Sequence, residues 1–177
     1  MNNVFLPPCT RLPAVAFVEL GVPSHLRSIP NWLLWRYESR QGRDTKVPYS
    51  ALTGSICDAT NPASWSGYDA AVAAFRSAPG RFSGVGFSLP PDRSMTAIDI
   101  DECFGPDGTL APEALRIVDD FGCYTERTPS GKGLRILALG SKGACSHCRS
   151  KSLEGIKEIE VYDTGRYVTV TGEVFEP

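Results

Sequence analysis

Short apolar or alternating runs, separated by Gly, Pro and Asp, recur through the second half of this 177-residue chain. In a β-strand successive side chains point to opposite faces, so such runs predict a sheet with one face packed on a core. The order of segments is strand, helix, strand, strand, loop, strand, strand: MTAIDID, APEALRIVDDFG, CYTERT, LRILALG, residues 141–156, IKEIEVYD and RYVTVTGEV. This order predicts an antiparallel sheet with a helix on one face, and the DTG before the last run predicts a hairpin.

The first half of the chain is less regular. NWLLWRYES, KVPYS and SGVGFSL are predicted to be extended, and the Pro-rich stretch 1–30 holds one short helix near PSHLRSI. Residues 66–77 are predicted to form a helix, because their apolar side chains recur at helical spacing and Pro79 and Gly80 end the pattern. The whole chain therefore belongs to the mixed α and β class.

The net charge of −2 and the pI of about 5.7 count mildly against a nucleic-acid binder, since such proteins are usually basic. Local clusters matter more than the sum, and two basic clusters are present: Arg36, Arg40, Arg43 and Lys46, then Arg127, Lys132 and Arg135. No apolar run approaches the roughly 20 residues that span a bilayer, and no secretory signal is recognisable. These features predict a cytoplasmic protein with no membrane contact and with reduced thiols.

Two aspartates follow one another closely in the run AIDID. Ile98 and Ile100 share one face of the predicted strand, while Asp99 and Asp101 share the other, with Cα atoms about 7 Å apart. Two carboxylates this close remain ionised beside a cation or in ample water. Divalent ions such as Mg²⁺ take oxygen ligands, so the pair predicts a metal site, with solvated surface acids as the alternative.

A third acid is a candidate ligand of the same ion. The run KEIEVYD places Glu158, Glu160 and Tyr162 on one face of its strand. An acid between apolar neighbours loses hydration in a central strand and then needs a cation or a donor. Glu160 is therefore predicted to join Asp99 and Asp101, unless it is an edge-strand acid that faces water.

The turn in TPSGKGLRI has the composition of an anion-binding turn. Its glycines free the backbone to approach a ligand, and its successive N–H groups form a concave site in such turns; the candidates are Ser130, Gly131, Lys132 and Gly133. Arg135 lies between Leu134 and Ile136 on the following strand, so its side chain projects from the face opposite to these two apolar residues. If the acids project from the same face, the site holds metal ions flanked by a guanidinium, and this combination suits the binding of a triphosphate. The spacing of the nucleoside-triphosphatase P-loop is absent.

These motifs, in this order, resemble the catalytic domain of the archaeo-eukaryotic primase superfamily, in the branch found in phages and mobile elements. The motifs are the Asp-x-Asp strand, the Ser-Gly-x-Gly-Leu turn and the string EVYDTGRYVTVTG, and the resemblance covers roughly residues 30–173. It implies one primase-polymerase catalytic domain over residues 1–177. Within it, a mixed α/β unit of about residues 1–92 would pack on an RNA-recognition-motif-like unit of about residues 93–177 that carries the acids.

The resemblance also implies an activity. It predicts a DNA-dependent primase and polymerase that transfers nucleotides with two divalent ions, Mg²⁺ or Mn²⁺. Asp99, Asp101 and Glu160 match the metal-binding acids of the family. Arg135 stands where the family usually has a histidine that contacts the triphosphate. An arginine can still bind phosphate bidentately, but any proton transfer by that histidine would be lost.

The resemblance suggests three further contacts with the substrate. Arg166 and Tyr167 are candidates beside the nucleotide, with Tyr167 against the sugar, although Tyr167 could instead serve sheet packing. Lys46 is a candidate contact to phosphate or template, although it could be an ordinary lysine at a strand end. The implied partners are a DNA template and primer, nucleoside triphosphates of either sugar, and a helicase domain or partner, since related proteins often continue into one and this chain could be an excised piece.

Two other functions compete with this prediction. The first is a module of the same fold with weakened chemistry that binds nucleic acid or nucleotide, and the second is an unrelated metal-dependent nuclease. A zinc site is not predicted. Cys145, His147 and Cys148 could supply three ligands, but the second spaced pair of a typical zinc site is absent. A fourth ligand would have to come from afar, from Cys9, His25 or Cys57.

Overall fold

The computed structural model describes residues 17–143 and 149–177 of the chain. The helices are α1 (Ser24–Arg27), α2 (Tyr68–Ser77) and α3 (Pro112–Phe121), and short 3-10 turns span Glu19–Gly21 and Pro62–Ser64. The strands are β1 (Trp32–Arg40), β2 (Arg43–Tyr49), β3 (Gly84–Ser88), β4 (Met95–Asp101), β5 (Tyr124–Arg127), β6 (Leu134–Leu139), β7 (Arg149–Leu153), β8 (Ile156–Tyr162) and β9 (Tyr167–Val170). No helix in the described ranges is long and apolar enough to cross a membrane.

The strands form two antiparallel sheets, so the predicted mixed α and β class is confirmed. Sheet 1 has four strands in the order β2-β1-β3-β9, and sheet 2 has five in the order β5-β6-β4-β8-β7. In sheet 2, α3 connects β4 to β5 across β6, which is the strand, helix, strand, strand order that the sequence predicts. The first and last strands of the described residues, β1 and β9, lie in the same sheet.

The hairpin predicted around DTG is wrong. Strand β8 pairs with β4 and β7 in sheet 2, whereas β9 pairs with β3 in sheet 1, so the two strands that flank the turn lie in different sheets. Part of the predicted loop over residues 141–156 is also a strand, because β7 pairs with β8 as a hairpin. Alternation specifies which face a side chain occupies and carries no information about the partner strand.

Helix α3 covers the apolar face of sheet 2. Pro112 lies at its start, and the helix ends at Gly122, which adopts the left-handed conformation (φ 54°) that favours glycine. Its buried residues Ala114 and Val118 are four apart and so share one side of the helix. They pack on a cluster from the sheet that includes Ile98, Ile100, Leu134 and Ile136.

The second, larger cluster joins the two sheets. It contains Trp32 and Phe87 of sheet 1, residues of α2, and Met95, Ala97 and Leu137 of sheet 2. The three sheet 2 residues share their face with the acids further along β4 and with Arg135 on β6. This face of sheet 2 is therefore apolar at one end, where it joins the shared core, and charged at the other.

Candidate active site

The charged end of sheet 2 brings the three predicted acids to one face. Strand β4 lies between β6 and β8, and Asp99 is directly opposite Arg135 on one side and Glu160 on the other. Asp101 is opposite Glu158 in the same pairing. Residues directly opposite each other in an antiparallel pair have Cβ atoms about 5 Å apart, so these carboxylates are neighbours.

Arg135 holds Asp99 by a bidentate ion pair. Its Nε donates to Oδ1 of Asp99 at 2.6 Å and its Nη2 donates to Oδ2 at 3.0 Å. Its Nη1 donates to the backbone oxygen of Thr169 and to Oγ1 of the same residue at 2.9 Å. Burial lowers the pKa of Arg135, but the neighbouring Asp99 more than offsets it, so the pKa lies above its usual value and the charge is permanent.

A cleft of about 200 Å³ lies over this row of charges. Sheet 2 contributes Asp99, Glu160 and Arg135, while sheet 1 contributes residues from β2 and β9. Six of the predicted site residues line the cleft: Lys46, Asp99, Arg135, Glu160, Arg166 and Tyr167. The sequence therefore identified residues from both halves of the chain that the fold brings together.

Lys46 and Tyr167 form the wall of the cleft that belongs to sheet 1. The hydroxyl of Tyr167 donates to the backbone oxygen of Lys46 at 2.7 Å, which ties β9 to the edge strand β2. The Tyr167 ring lies against Gly86, where an added Cβ would come within 3.0 Å of the ring. Burial, with a smaller contribution from the charge of Arg135, lowers the pKa of Lys46 to about 8. Burial raises the pKa of Tyr167, which stays a neutral phenol.

Asp101 shares the face of Asp99 but is not among the residues that line the cleft. Its pKa is raised, first by burial and then by the negative charges of Asp99 and Glu160. Such an excess of negative charge is what a bound cation relieves.

The acids suit a divalent metal ion in their chemistry, because Mg²⁺ and Mn²⁺ prefer oxygen ligands. The positions of their side chains, however, do not form a complete set of metal ligands. Within residues 17–143 and 149–177, no three His, Cys, Asp or Glu side chains are arranged so that they could hold an ion. Both oxygens of Asp99 accept hydrogen bonds from Arg135, so an ion would have to share this carboxylate with the guanidinium.

The glycine-rich turn lies beside the acids rather than in the cleft. Gly131 adopts a left-handed conformation (φ 71°), and an added Cβ at Gly133 would lie 2.6 Å from the backbone oxygen of Ile100. Ser130 and Lys132 are exposed, and the backbone oxygen of Lys132 accepts from Cys103 just beyond β4. The turn is thus fixed next to the end of the strand that carries both aspartates.

Two residues that support the site were missed from the sequence. Thr169 of β9 accepts from Arg135, and Glu126 of β5 is fully buried directly opposite Arg135. Oε2 of Glu126 accepts from the hydroxyl of Tyr124 and from the backbone N–H groups of Thr171 and Gly172. Burial raises the pKa of Glu126. Glu126 lies opposite Arg135 because β5 pairs with β6. The local sequence around Glu126 does not predict this pairing.

Arg166 lies over the ring of Tyr162, with its guanidinium carbon 4.8 Å from the ring centre. Tyr162 also lines the cleft, so this pair adds a third, exposed cation to Arg135 and Lys46, beside an aromatic face. Cys9, Cys145, His147 and Cys148 lie outside the described residues. Cys57 and Cys103 are free thiols, and burial raises the pKa of Cys103 to about 11.

Comparison with known proteins finds a relative of this chain among phage proteins. The chain is 32% identical over 162 residues to the DNA primase-polymerase of Nitratiruptor phage NrS-1. The chain is similar to a phage primase-polymerase. The match covers 90% of this chain but 21% of the phage protein, so the chain spans about a fifth of the length of this relative. No protein-family model matches the chain. The similarity supports a relationship to primase-polymerases over nearly the whole chain.

Proposed function

We propose that the chain is the catalytic domain of a DNA-dependent primase and polymerase that makes or extends primers during replication of a phage or mobile element. The observation that carries this proposal is the placement of Asp99, Asp101 and Glu160 on one face of adjacent strands, beside a cleft lined by cations. The relative named DNA primase-polymerase supports it, since the match spans both sheets.

In this proposal the three acids hold two divalent ions, Mg²⁺ or Mn²⁺. When bound, such ions supply Lewis-acid activation of a 3′-hydroxyl and stabilise the charge on the leaving pyrophosphate. The row Asp99–Glu160 comes from directly paired positions on β4 and β8, so backbone hydrogen bonds fix the spacing of these two carboxylates. Rigid strands rather than loops hold the acids, which favours accurate positioning.

The cations of the cleft would bind the triphosphate. Lys46 and Arg166 line the cleft from the side of sheet 1 and from the β8–β9 connection, opposite the acids. Tyr167 would contact the nucleotide through its ring, since its hydroxyl is engaged by Lys46. The turn formed by Ser130, Gly131, Lys132 and Gly133 would contact the phosphates from the neighbouring strand end.

The partners in this proposal are a DNA template and primer, ribo- or deoxyribonucleoside triphosphates, and a helicase supplied by a further domain or a separate protein. The site of action would be the cytoplasm, where these substrates occur.

Primer synthesis on single-stranded DNA with Mn²⁺ or Mg²⁺ tests the proposal directly. We expect labelled product from the wild type and none from Asp99→Asn combined with Asp101→Asn, which keep the shape of both side chains but remove the negative charge. The matched control is Asp119→Asn combined with Asp120→Asn, since these two acids lie exposed near the end of α3. Loss of template instead of gain of product would identify a nuclease and refute the proposal.

A binding module with weakened chemistry is the second candidate. The ion pair between Arg135 and Asp99 favours it, because it occupies both oxygens of a proposed metal ligand. Binding of DNA or triphosphate by the wild type, with no synthesis at any Mn²⁺ concentration, would support this candidate over the polymerase.

A further inference from the structure

We infer that Arg135 is a positioning residue that fixes the carboxylate of Asp99, and that it does not serve as the ligand of the triphosphate. This inference rests on the proposed function, since it assigns a role within the same site. It departs from the expectation from sequence, in which Arg135 replaces a histidine that contacts phosphate.

The hydrogen bonds of Arg135 carry the inference. A guanidinium has five N–H donors, and four hydrogen bonds to Asp99 and Thr169 already use most of them. Bidentate binding of a phosphate requires two donors on one edge of the guanidinium, and the Nε–Nη2 edge is the one that Asp99 occupies. One N–H of Nη2 is left, which is too few for a bidentate phosphate contact.

The burial of Arg135 keeps it in this position. The residue is 5% exposed, and it reaches from β6 in sheet 2 to Thr169 in sheet 1. Turning it toward a triphosphate would take the guanidinium away from the carboxylate of Asp99, which is itself largely buried. Separating a buried ion pair in this way is strongly unfavourable.

Asp99 can still bind a metal ion while Arg135 holds it. An ionised carboxylate has about four lone-pair sites, and Arg135 uses one on each oxygen. Groups that hydrogen-bond a ligating carboxylate fix its orientation, and changing them commonly costs 10- to 100-fold in metal affinity. Contact with the triphosphate then falls to Lys46 and Arg166, the other cations that line the cleft.

Binding of Mn²⁺ in the absence of any nucleotide separates the two roles. Arg135→Lys keeps the positive charge but loses the planar fork, so a positioning role predicts that the Mn²⁺ dissociation constant rises about tenfold or more. A residue that only binds the triphosphate has no effect when nucleotide is absent. That role therefore predicts an unchanged Mn²⁺ dissociation constant for Arg135→Lys. Electron paramagnetic resonance of free Mn²⁺ during a titration measures the constant directly.

Arg127→Lys is the matched control, since Arg127 lies on the adjacent strand β5 and contacts Phe104 and Glu173 outside the cleft. It should bind Mn²⁺ like the wild type. Equal Mn²⁺ affinity of Arg135→Lys and the wild type would overturn the inference and leave the proposed function intact. A wild type that binds no Mn²⁺ would refute both, and the synthesis assay would show the same failure independently.

A second measurement covers the case in which Arg135→Lys does not fold. A crystal structure of the wild type with a non-hydrolysable triphosphate and Mn²⁺ should show Nε and Nη2 of Arg135 still bonded to Asp99, with the phosphates against Lys46 and Arg166. Phosphate oxygens within hydrogen-bond distance of Nε and Nη2, in place of Asp99, would overturn the inference.

Discussion

Lys46 is a lysine whose charge depends on its surroundings. Its side chain is half-buried. It lies near Arg135, which repels a second positive charge, and near the carboxylates of Asp99 and Asp101, which attract one. Burial and the guanidinium dominate, so the pKa falls to about 8 instead of its usual value above 10. A lysine of this kind changes charge in a range where enzymes are commonly assayed.

This pKa predicts how triphosphate binding depends on pH. Lys46 is charged below its pKa, so in its proposed role its attraction for the triphosphate is nearly complete at pH 7 and is lost as the pH rises through about 8. We expect the dissociation constant of a fluorescent triphosphate, measured with Ca²⁺ present, to increase between pH 7 and pH 9. Lys46→Arg stays charged throughout this range and should show a flat profile. A wild-type profile as flat as that of the variant would contradict the role of Lys46.

Gly133 is constrained by the lack of space for a side chain. Its backbone passes so close to β4 that a Cβ would lie 2.6 Å from the carbonyl oxygen of Ile100, which as backbone cannot easily move. Gly133→Ala should therefore lower the free energy of unfolding by about 1–3 kcal/mol and weaken synthesis, because the contact is next to Asp101.

Gly67→Ala is the control for this substitution, since Gly67 is the N-cap of α2 with open space around it. The loss of an N-cap glycine should cost about 1 kcal/mol or less. Urea denaturation of both variants gives the comparison. Equal stability of the two would show that the approach at Gly133 is not a tight one.

The strands and helices themselves were largely predictable from the sequence. The predicted helix over residues 66–77 is α2, the second is α3, and the two aspartates do share one face of β4. The pairing of β8 and β9 was not predictable, because a short turn between two alternating strands usually gives a hairpin and only the shared core assigns β9 to sheet 1. The hydrogen bonds from Arg135 to Thr169 have the same origin, since Thr169 lies on that strand.

Strand β5 has four residues, and it gains support from Glu126. This side chain accepts the N–H groups of Thr171 and Gly172, which follow β9, so it links sheet 2 to the end of sheet 1. Glu126→Ala would leave two buried donors without an acceptor. We expect it to lower the free energy of unfolding by about 3 kcal/mol, as measured by chemical denaturation.

Glu126→Gln should lose much less stability, because an amide oxygen can still accept from both N–H groups. Glu173→Ala provides the exposed counterpart. Glu173 forms a partly exposed ion pair with Arg127 at 3.5 Å, and such pairs contribute at most about 1 kcal/mol. A loss in Glu126→Ala no larger than in Glu173→Ala would mean that Glu126 does not link the sheets.

At the scale of the whole molecule, the two sheets share a core and should unfold together. The three tryptophans, Trp32, Trp35 and Trp65, all lie in the first half of the chain, so their fluorescence reports on sheet 1 and its surroundings. Circular dichroism reports on both sheets. We expect the two signals to give coincident transitions in urea, as a cooperative single unit requires. Separate midpoints would show that residues of about 1–92 and 93–177 unfold as independent units.

The connection between β8 and β9 also limits how the cleft can take up its substrate. Residues 163–166 join Tyr162 in one sheet to Tyr167 in the other, and five peptide links reach at most about 18 Å. Both tyrosines line the cleft, so this short connection links the two walls at the site itself. The two sheets also share one core, so a nucleotide that binds as proposed would enter and leave between walls that stay close together, without a wide hinged opening of one sheet away from the other.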